Sequence, residues 1–193
     1  MKSFISWVEQ RIEEKQSVLC VGLDSVPNKI PACLLSESDP QFAFNRRIIE
    51  VTHDLACCYK PNLAFYTVRG AAGMDTLAQT IQYAHSFDVP VVLDAKYGDI
   101  GHTADYYAQT VFDVLHADAV TVNPYMGEDT ISPFRGYENK CVIVLCFTSN
   151  ATRNDFQTKK VEEVEPESMY LYESVARKIV KWNTKGNLGA VVG

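Results

Sequence analysis

Six short, nearly continuous apolar runs punctuate the chain: VLCVGLD from Val18, ACCYKPNLAFY from Ala56, VPVVLDAK from Val89, ADAVTVNPY from Ala117, CVIVLCF from Cys141 and LGAVVG from Leu188. Such runs suit strands covered on both faces. Between them apolar residues recur at helical spacing. Phe44, Ile48, Val51 and Leu55 form one stripe; Met74, Leu77, Ile81 and Ala84 a second; Tyr107, Val111 and Val114 a third; Leu171, Val175, Ile179 and Trp182 a fourth. From Met1 to Gln16 the pattern predicts an amphipathic helix with Phe4, Val8 and Ile12 on one face and Glu9, Arg11, Glu13 and Glu14 among its charged positions. The segment from Gly127 to Gly136 reads as a short helix, and the polar stretch from Asn150 to Ser168 as a solvated loop. Strand and helix in alternation predict an α/β chain with a parallel sheet.

Two architectures suit that alternation. A doubly wound open sheet usually carries a glycine-rich phosphate loop after its first strand. Here the first strand ends Gly22-Leu23-Asp24-Ser25-Val26-Pro27, which is no such loop. The strand ends carry charge instead: Asp24, Lys60, Asp94 and Lys96. Ionisable residues at the carboxyl ends of several parallel strands are the signature of a (β/α)8 barrel site. Residues 1–193 read as a single domain, without repeat or dividing linker. Six strand candidates against the eight of a barrel lead to the expectation of a C-terminally incomplete barrel, truncated before strands 7 and 8, a shortfall of roughly 60 to 80 residues.

Composition narrows the function. With 47% hydrophobic residues the chain has enough apolar material for a core, which excludes a disordered tail. A net charge of -6 argues against a general nucleic-acid binder, which needs a broad basic surface. The first apolar patch is too short for a signal peptide or a membrane anchor. Six cysteines without a C-x-x-C pair read as buried free thiols of a cytoplasmic protein. His53, His85 and His116 form no metal-ligand pair, and His102 reads as a surface residue. No metal and no cofactor are expected.

The chemistry concentrates in Asp94-Ala95-Lys96-Tyr97-Gly98-Asp99-Ile100. Strand alternation puts Asp94 and Lys96 on one side, with Val92 below them. An acid and an amine at the rim of an apolar interior must pair, because burying either alone is costly. Asp99 follows past the strand end, where Gly98 and Gly101 permit a sharp turn. Lys60 ends the second strand and Asp24 the first, so charges of alternating sign converge.

Together these residues resemble the orotidine 5'-phosphate decarboxylase family. The resemblance rests on Asp94-x-Lys96-x-x-Asp99-Ile100 with Thr103 following, on Gly22-Leu23-Asp24, on Tyr59-Lys60-Pro61-Asn62 with Phe65-Tyr66, and on Thr121-Val122-Asn123-Pro124-Tyr125-Met126-Gly127. It implies a TIM barrel and the cofactor-free decarboxylation of orotidine 5'-monophosphate to UMP, a step of pyrimidine biosynthesis. By this likeness Lys96 protonates C6 as CO2 leaves, Asp94 lies beside the substrate carboxylate, and Lys60 holds the aspartates and a ribose hydroxyl. Asp24 and Asn62 match ribose-side positions. Asp99, Ile100 and Thr103 match residues that reach into the partner's site of a homodimer. Ser149, or its neighbour Thr148, falls where a loop offers a hydroxyl to the pyrimidine, although Cys146-Phe147-Thr148-Ser149-Asn150 departs from the commoner versions of that loop. The family's lid, glutamine and phosphate-clamping arginine fall in the two units expected to be missing, so weak or absent activity is expected.

Three other readings stay open. Magnesium-dependent sugar-phosphate enzymes of the same superfamily share D-x-K-x-x-D but carry an acid where this chain has Lys60, which would repel a metal. A Schiff-base aldolase would use Lys60 or Lys96 as nucleophile, yet that chemistry wants a desolvated lysine or a neighbouring cation. A non-catalytic fragment or dimerising homologue is the third.

Overall fold

Parallel strands lie side by side in the order in which the chain makes them. In the computed structural model, which describes residues 2–162 and 168–193, β1 (Leu19–Gly22) pairs with β2 (Ala56–Lys60). Next to them β3 (Val92–Tyr97), β4 (Ala119–Val122), β5 (Cys141–Phe147) and β8 (Leu188–Val192) form a second sheet in that order. Bridges from Tyr59 to Val91 and from Asn62 to Asp94 join β2 to β3, so the six make one sequential array. A doubly wound sheet reverses its order at a switch point, and this array does not; its progression is that of a (β/α)8 barrel. Among the described residues no pairing joins β8 to β1.

Seven α-helices accompany the strands among the described residues: α1 (Phe4–Lys15), α2 (Pro40–Thr52), α3 (Ala64–Thr67), α4 (Gly70–Ser86), α5 (Gly101–Gln109), α6 (Ser132–Arg135) and α7 (Leu171–Trp182). Alternate strand residues such as Val91, Leu93, Val120 and Val142 pack outward against Leu77, Ile81, Val111 and Ile179 of the helices. A second cluster joins Phe4 of α1 to Cys58, Val92, Ala119 and Cys141 at the starts of the strands. The Phe4 amide donates to the Asn139 carbonyl at 2.9 Å, so α1 lies across the amino-terminal end of the array.

Arg11 fastens this helix. It is buried, and its guanidinium donates to the carbonyls of Ala56 at 3.0 Å, Asp88 at 2.9 Å and His53 at 2.6 Å. The sequence pattern sets Arg11 among exposed charges. The structure turns it inward because the ends of α2 and α4 and the start of β2 offer carbonyls that lack ladder partners.

Other expectations shift as well. The stripe Phe44, Ile48, Val51 and Leu55 holds only in part: Phe44 and Ile48 are half-buried against the core, Val51 and Leu55, the latter beyond the end of α2, are exposed, and Gln41, Ala43, Asn45 and Ile49 are the buried positions of the helix. The amide N–H groups that face inward there find acceptors, although Asn45 Oδ1 is buried without a hydrogen-bond partner. Asn45 donates to the Tyr66 hydroxyl and to Thr80 Oγ1, and Gln41 to the carbonyls of Ser25 and Phe65. Val114 is exposed because the helix after α5 is wound wider over Thr110–Val114, which rotates the stripe. All six cysteines are free, but Cys20, on edge strand β1, and Cys33 are exposed rather than buried. The stretch from Asn150 holds a 3-10 turn, Ala151–Asp155, and a two-residue antiparallel ribbon of β6 (Lys160–Val161) with β7 (Met169–Tyr170). The rest of that predicted loop, residues 163–167, lies outside the described residues. Among the described residues no helix is long and apolar enough to cross a membrane.

Replacing Arg11 by leucine removes three charge-assisted hydrogen bonds and leaves carbonyls unpaired, so Arg11→Leu is expected to cost about 2–4 kcal/mol. Urea unfolding followed by circular dichroism measures it, and a loss below about 0.5 kcal/mol would mean that water replaces the guanidinium.

Candidate active site

Asp94 is the centre of the site. It occupies the third position of β3, and only 6% of it is exposed. Its Oδ2 accepts from Lys60 Nζ at 2.8 Å and Asn62 Nδ2 at 3.3 Å. Its Oδ1 accepts from Lys96 Nζ at 2.6 Å and Thr121 Oγ1 at 2.8 Å. Lys60 ends β2, Asn62 follows it, Lys96 is near the end of β3 and Thr121 lies in β4, so carboxyl-terminal strand ends supply every donor. Asp24, just past β1, accepts from the Asn62 backbone at 3.1 Å and brings a second carboxylate to the rim.

The local backbone is less regular than alternation predicts. Pairing between β3 and β4 shifts register between Leu93 and Tyr97, and Lys96 takes a left-handed φ of 50°. Asp94 and Lys96 do meet, but through this distortion rather than along a plain strand. Of the two glycines that follow, Gly101 has a positive φ of 56°. Gly98 serves differently: a Cβ there would sit 3.3 Å from the Cβ of Asn123, a close approach rather than a turn.

Exposure divides the roles. The side chains of Lys60 and Lys96 are 37% and 48% exposed above a carboxylate that is almost fully covered. The ammonium groups are thus held from below and open to a ligand from above. Burial pushes the Asp94 carboxyl up, but hydrogen bonds from Lys60, Lys96 and Thr121, with the charge of Lys60, outweigh this and hold it at about 2. Burial works against the Lys60 ammonium in turn, and Asp94 overrides it, leaving its pKa above the ordinary lysine value.

The other sequence-predicted residues lie apart. Asp99 is half-buried and its Oδ1 accepts from the Ile100 amide; Ile100 and Thr103 are exposed at the start of α5. Ser149 is exposed in the loop after β5, while Thr148 bonds to Asn150 and Gln157. Among the described residues none of these five is hydrogen-bonded to the Asp94 carboxylate within this chain. Thr121 is the residue that sequence reasoning passes over. It stands two residues before Asn123 in the motif already singled out, and the alternation of β4 would have pointed it toward Asp94. Among the described residues no three side chains of His, Cys, Asp or Glu could hold a metal ion together.

Because the folded carboxyl titrates at about 2, below its ordinary 3.8, ionised Asp94 stabilises the fold above that range and the contribution is lost as pH falls from about 4 to about 2. Asp94→Asn, which lacks the charge at every pH, should be less stable than the parent at about pH 6, with a gap that narrows toward about pH 2. Urea midpoints across this range check it, and a gap independent of pH contradicts it.

Comparison with known proteins concerns the chain as a whole. A family model described as Orotidine 5'-phosphate decarboxylase / HUMPS family matches residues 17–193. The chain is 49% identical over 191 residues to an orotidine 5'-phosphate decarboxylase of Halorubrum lacusprofundi, an alignment covering 99% of this chain and 66% of that one. It therefore spans about two thirds of that relative's length. The structure superposes on Leishmania donovani OMP decarboxylase with a TM-score of 0.86 at 43% identity, over 99% of this chain and 70% of the other. Against Leishmania donovani UMP synthase the TM-score is 0.87 at 43% identity, over 100% of this chain and 40% of that one. Agreement in sequence and in fold, over nearly its whole length, places this chain in the orotidine 5'-phosphate decarboxylase / HUMPS family.

Proposed function

We propose that this chain carries the decarboxylation centre for orotidine 5'-monophosphate and forms UMP without a cofactor, as a carbon-carbon lyase. The observation that carries the reading is a buried carboxylate, Asp94, clasped by two half-exposed ammonium groups at the carboxyl ends of adjacent parallel strands. The names of the relatives supply the substrate.

Cleavage of the bond between C6 and the substrate carboxylate expels CO2 and leaves the electron pair on C6. An ammonium at that carbon stabilises the charge more as it develops than before, which is what lowers the barrier. Lys96 supplies that ammonium and then a proton from Nζ, so the pair becomes the new C6–H bond. Asp94 faces the departing carboxylate and holds Lys96 in place. Lys60, fixed on the other oxygen of Asp94, turns its free N–H groups toward a ribose hydroxyl, beside Asp24 and Asn62. Ser149 offers a hydroxyl to the pyrimidine from the loop after β5.

The remaining three residues fit a homodimer. Asp99, Ile100 and Thr103 make no hydrogen bond to Asp94 of their own chain among the described residues, and 51% of Ile100 is exposed. An isoleucine in that position suits insertion beside a neighbouring site, where Asp99 adds its charge to the partner's lysines.

Two experiments test this. Lys96→Ala is expected to lower turnover of orotidine 5'-monophosphate by about 10³-fold or more, with the circular dichroism spectrum of the folded parent. Ordinary turnover by that variant sinks the assignment. Mixing Lys96→Ala protein with Asp99→Ala protein is expected to restore activity, because a mixed dimer has one site free of both changes. A mixture no more active than its parts contradicts the shared site.

A further inference from the structure

The hydroxyl of Thr121 bonds to both partners of the central ion pair, to the carboxylate of Asp94 and to the backbone of Lys96. Only 3% of Thr121 is exposed. Its Oγ1 donates to Asp94 Oδ1 at 2.8 Å and accepts from the backbone N–H of Lys96 at 2.9 Å. A hydroxyl has one proton, so the direction is fixed: the Lys96 amide can only donate, and the hydroxyl proton goes to the carboxylate. The bond to Lys96 falls where the β3–β4 ladder is interrupted, between Leu93 and Tyr97. A side chain on β4 thus replaces the missing backbone acceptor. It does so at a non-glycine residue held at a φ of 50°, a conformation that persists only where surroundings enforce it.

We infer that Thr121 is a positioning residue: its hydroxyl holds the left-handed backbone of Lys96 and the carboxylate of Asp94 in one arrangement, and so fixes where the Lys96 ammonium stands. The inference rests on the reading of Asp94 and Lys96 given under the proposed function. Among the described residues no hydrogen bond joins either ammonium to Thr121, and its effect on chemistry passes through the two groups it holds. Valine has nearly the same shape and would fill the same space. It would leave the Lys96 amide without an acceptor and Asp94 Oδ1 with one donor fewer. Serine would keep both bonds.

The test compares the parent chain, Thr121→Val and Thr121→Ser by steady-state decarboxylation of orotidine 5'-monophosphate and by hydrogen exchange of the Lys96 amide. Thr121→Val is expected to lose about 10- to 100-fold in kcat with little change in KM, since misplacement of a reacting group by about 1 Å costs on that order. Its Lys96 amide should exchange faster than the parent's. Thr121→Ser should stay near the parent in both measurements, which a role in packing alone would not produce. Parent-like kcat and exchange in Thr121→Val overturn the inference, as does a loss in Thr121→Ser equal to that in Thr121→Val. Absence of turnover in the parent chain bears on the proposed function and not on this inference. Amide exchange then decides alone: faster exchange in the valine variant and not in the serine variant upholds the positioning role, and equal exchange in all three overturns it.

Discussion

One carboxylate in a nearly dry place organises this molecule. Removing an anion such as Asp94 from water costs several kcal/mol, and the cost is recovered only if donors meet both oxygens. Lys60, Asn62, Lys96 and Thr121 do so, and they come from three neighbouring strands. No arrangement in which β2, β3 and β4 were dealt out in another order would bring those four together. Strand order and site are therefore two aspects of one constraint. The bridge from Asn62 to Asp94 shows it locally, because the same residues that carry the polar contacts also complete the backbone pairing of β2 with β3.

The opposite end of the array repeats the device without its openness. Asp118, just before β4, is buried, with Oδ2 paired to His85 Nε2 at 2.7 Å and accepting from the Val91 amide at 2.9 Å, while Oδ1 accepts from Lys140 at 3.1 Å. There the carboxylate ties α4, β3 and the turn before β5, and Arg11 binds α1 to the same end. Polar networks at the amino-terminal face are closed on themselves. Those at the carboxyl-terminal face end in ammonium groups that reach solvent. This division of stability from reactivity is the general plan of βα barrels.

Much of this is legible in the sequence. The parallel strands announce themselves as apolar runs, although β1 and β8 are covered far less than their runs suggest, and a charge that ends such a run has nowhere to be but a rim. Lys60, Asp94 and Lys96 stand out for that reason. Asn45, Gln41 and Arg11 do not, because a polar residue that finds its partner in the core looks on paper like any surface residue. Thr121 is hidden more thoroughly. Threonine is an ordinary strand former, and its role depends on an irregular pairing that no periodicity records. The phase of α2 is legible only in part for a related cause: polar side chains share its inner face, so the apolar stripe marks the helix but not all of its buried side. Asp99, Ile100 and Thr103 are singled out by resemblance to the motif, and Ser149 more loosely by its loop; in this chain they make no hydrogen bond to Asp94 among the described residues.

The left-handed backbone at Lys96 bears on how such a site holds together. Glycine would rest there without strain, and so, nearly, would asparagine, whereas lysine sits uphill by about 1–3 kcal/mol. The bond from its ammonium to buried Asp94 offsets part of that strain, so one side chain has opposed effects on the fold: its backbone resists the position and its head group secures it. A glycine there would relax the chain and strip a donor from the carboxylate in the same change.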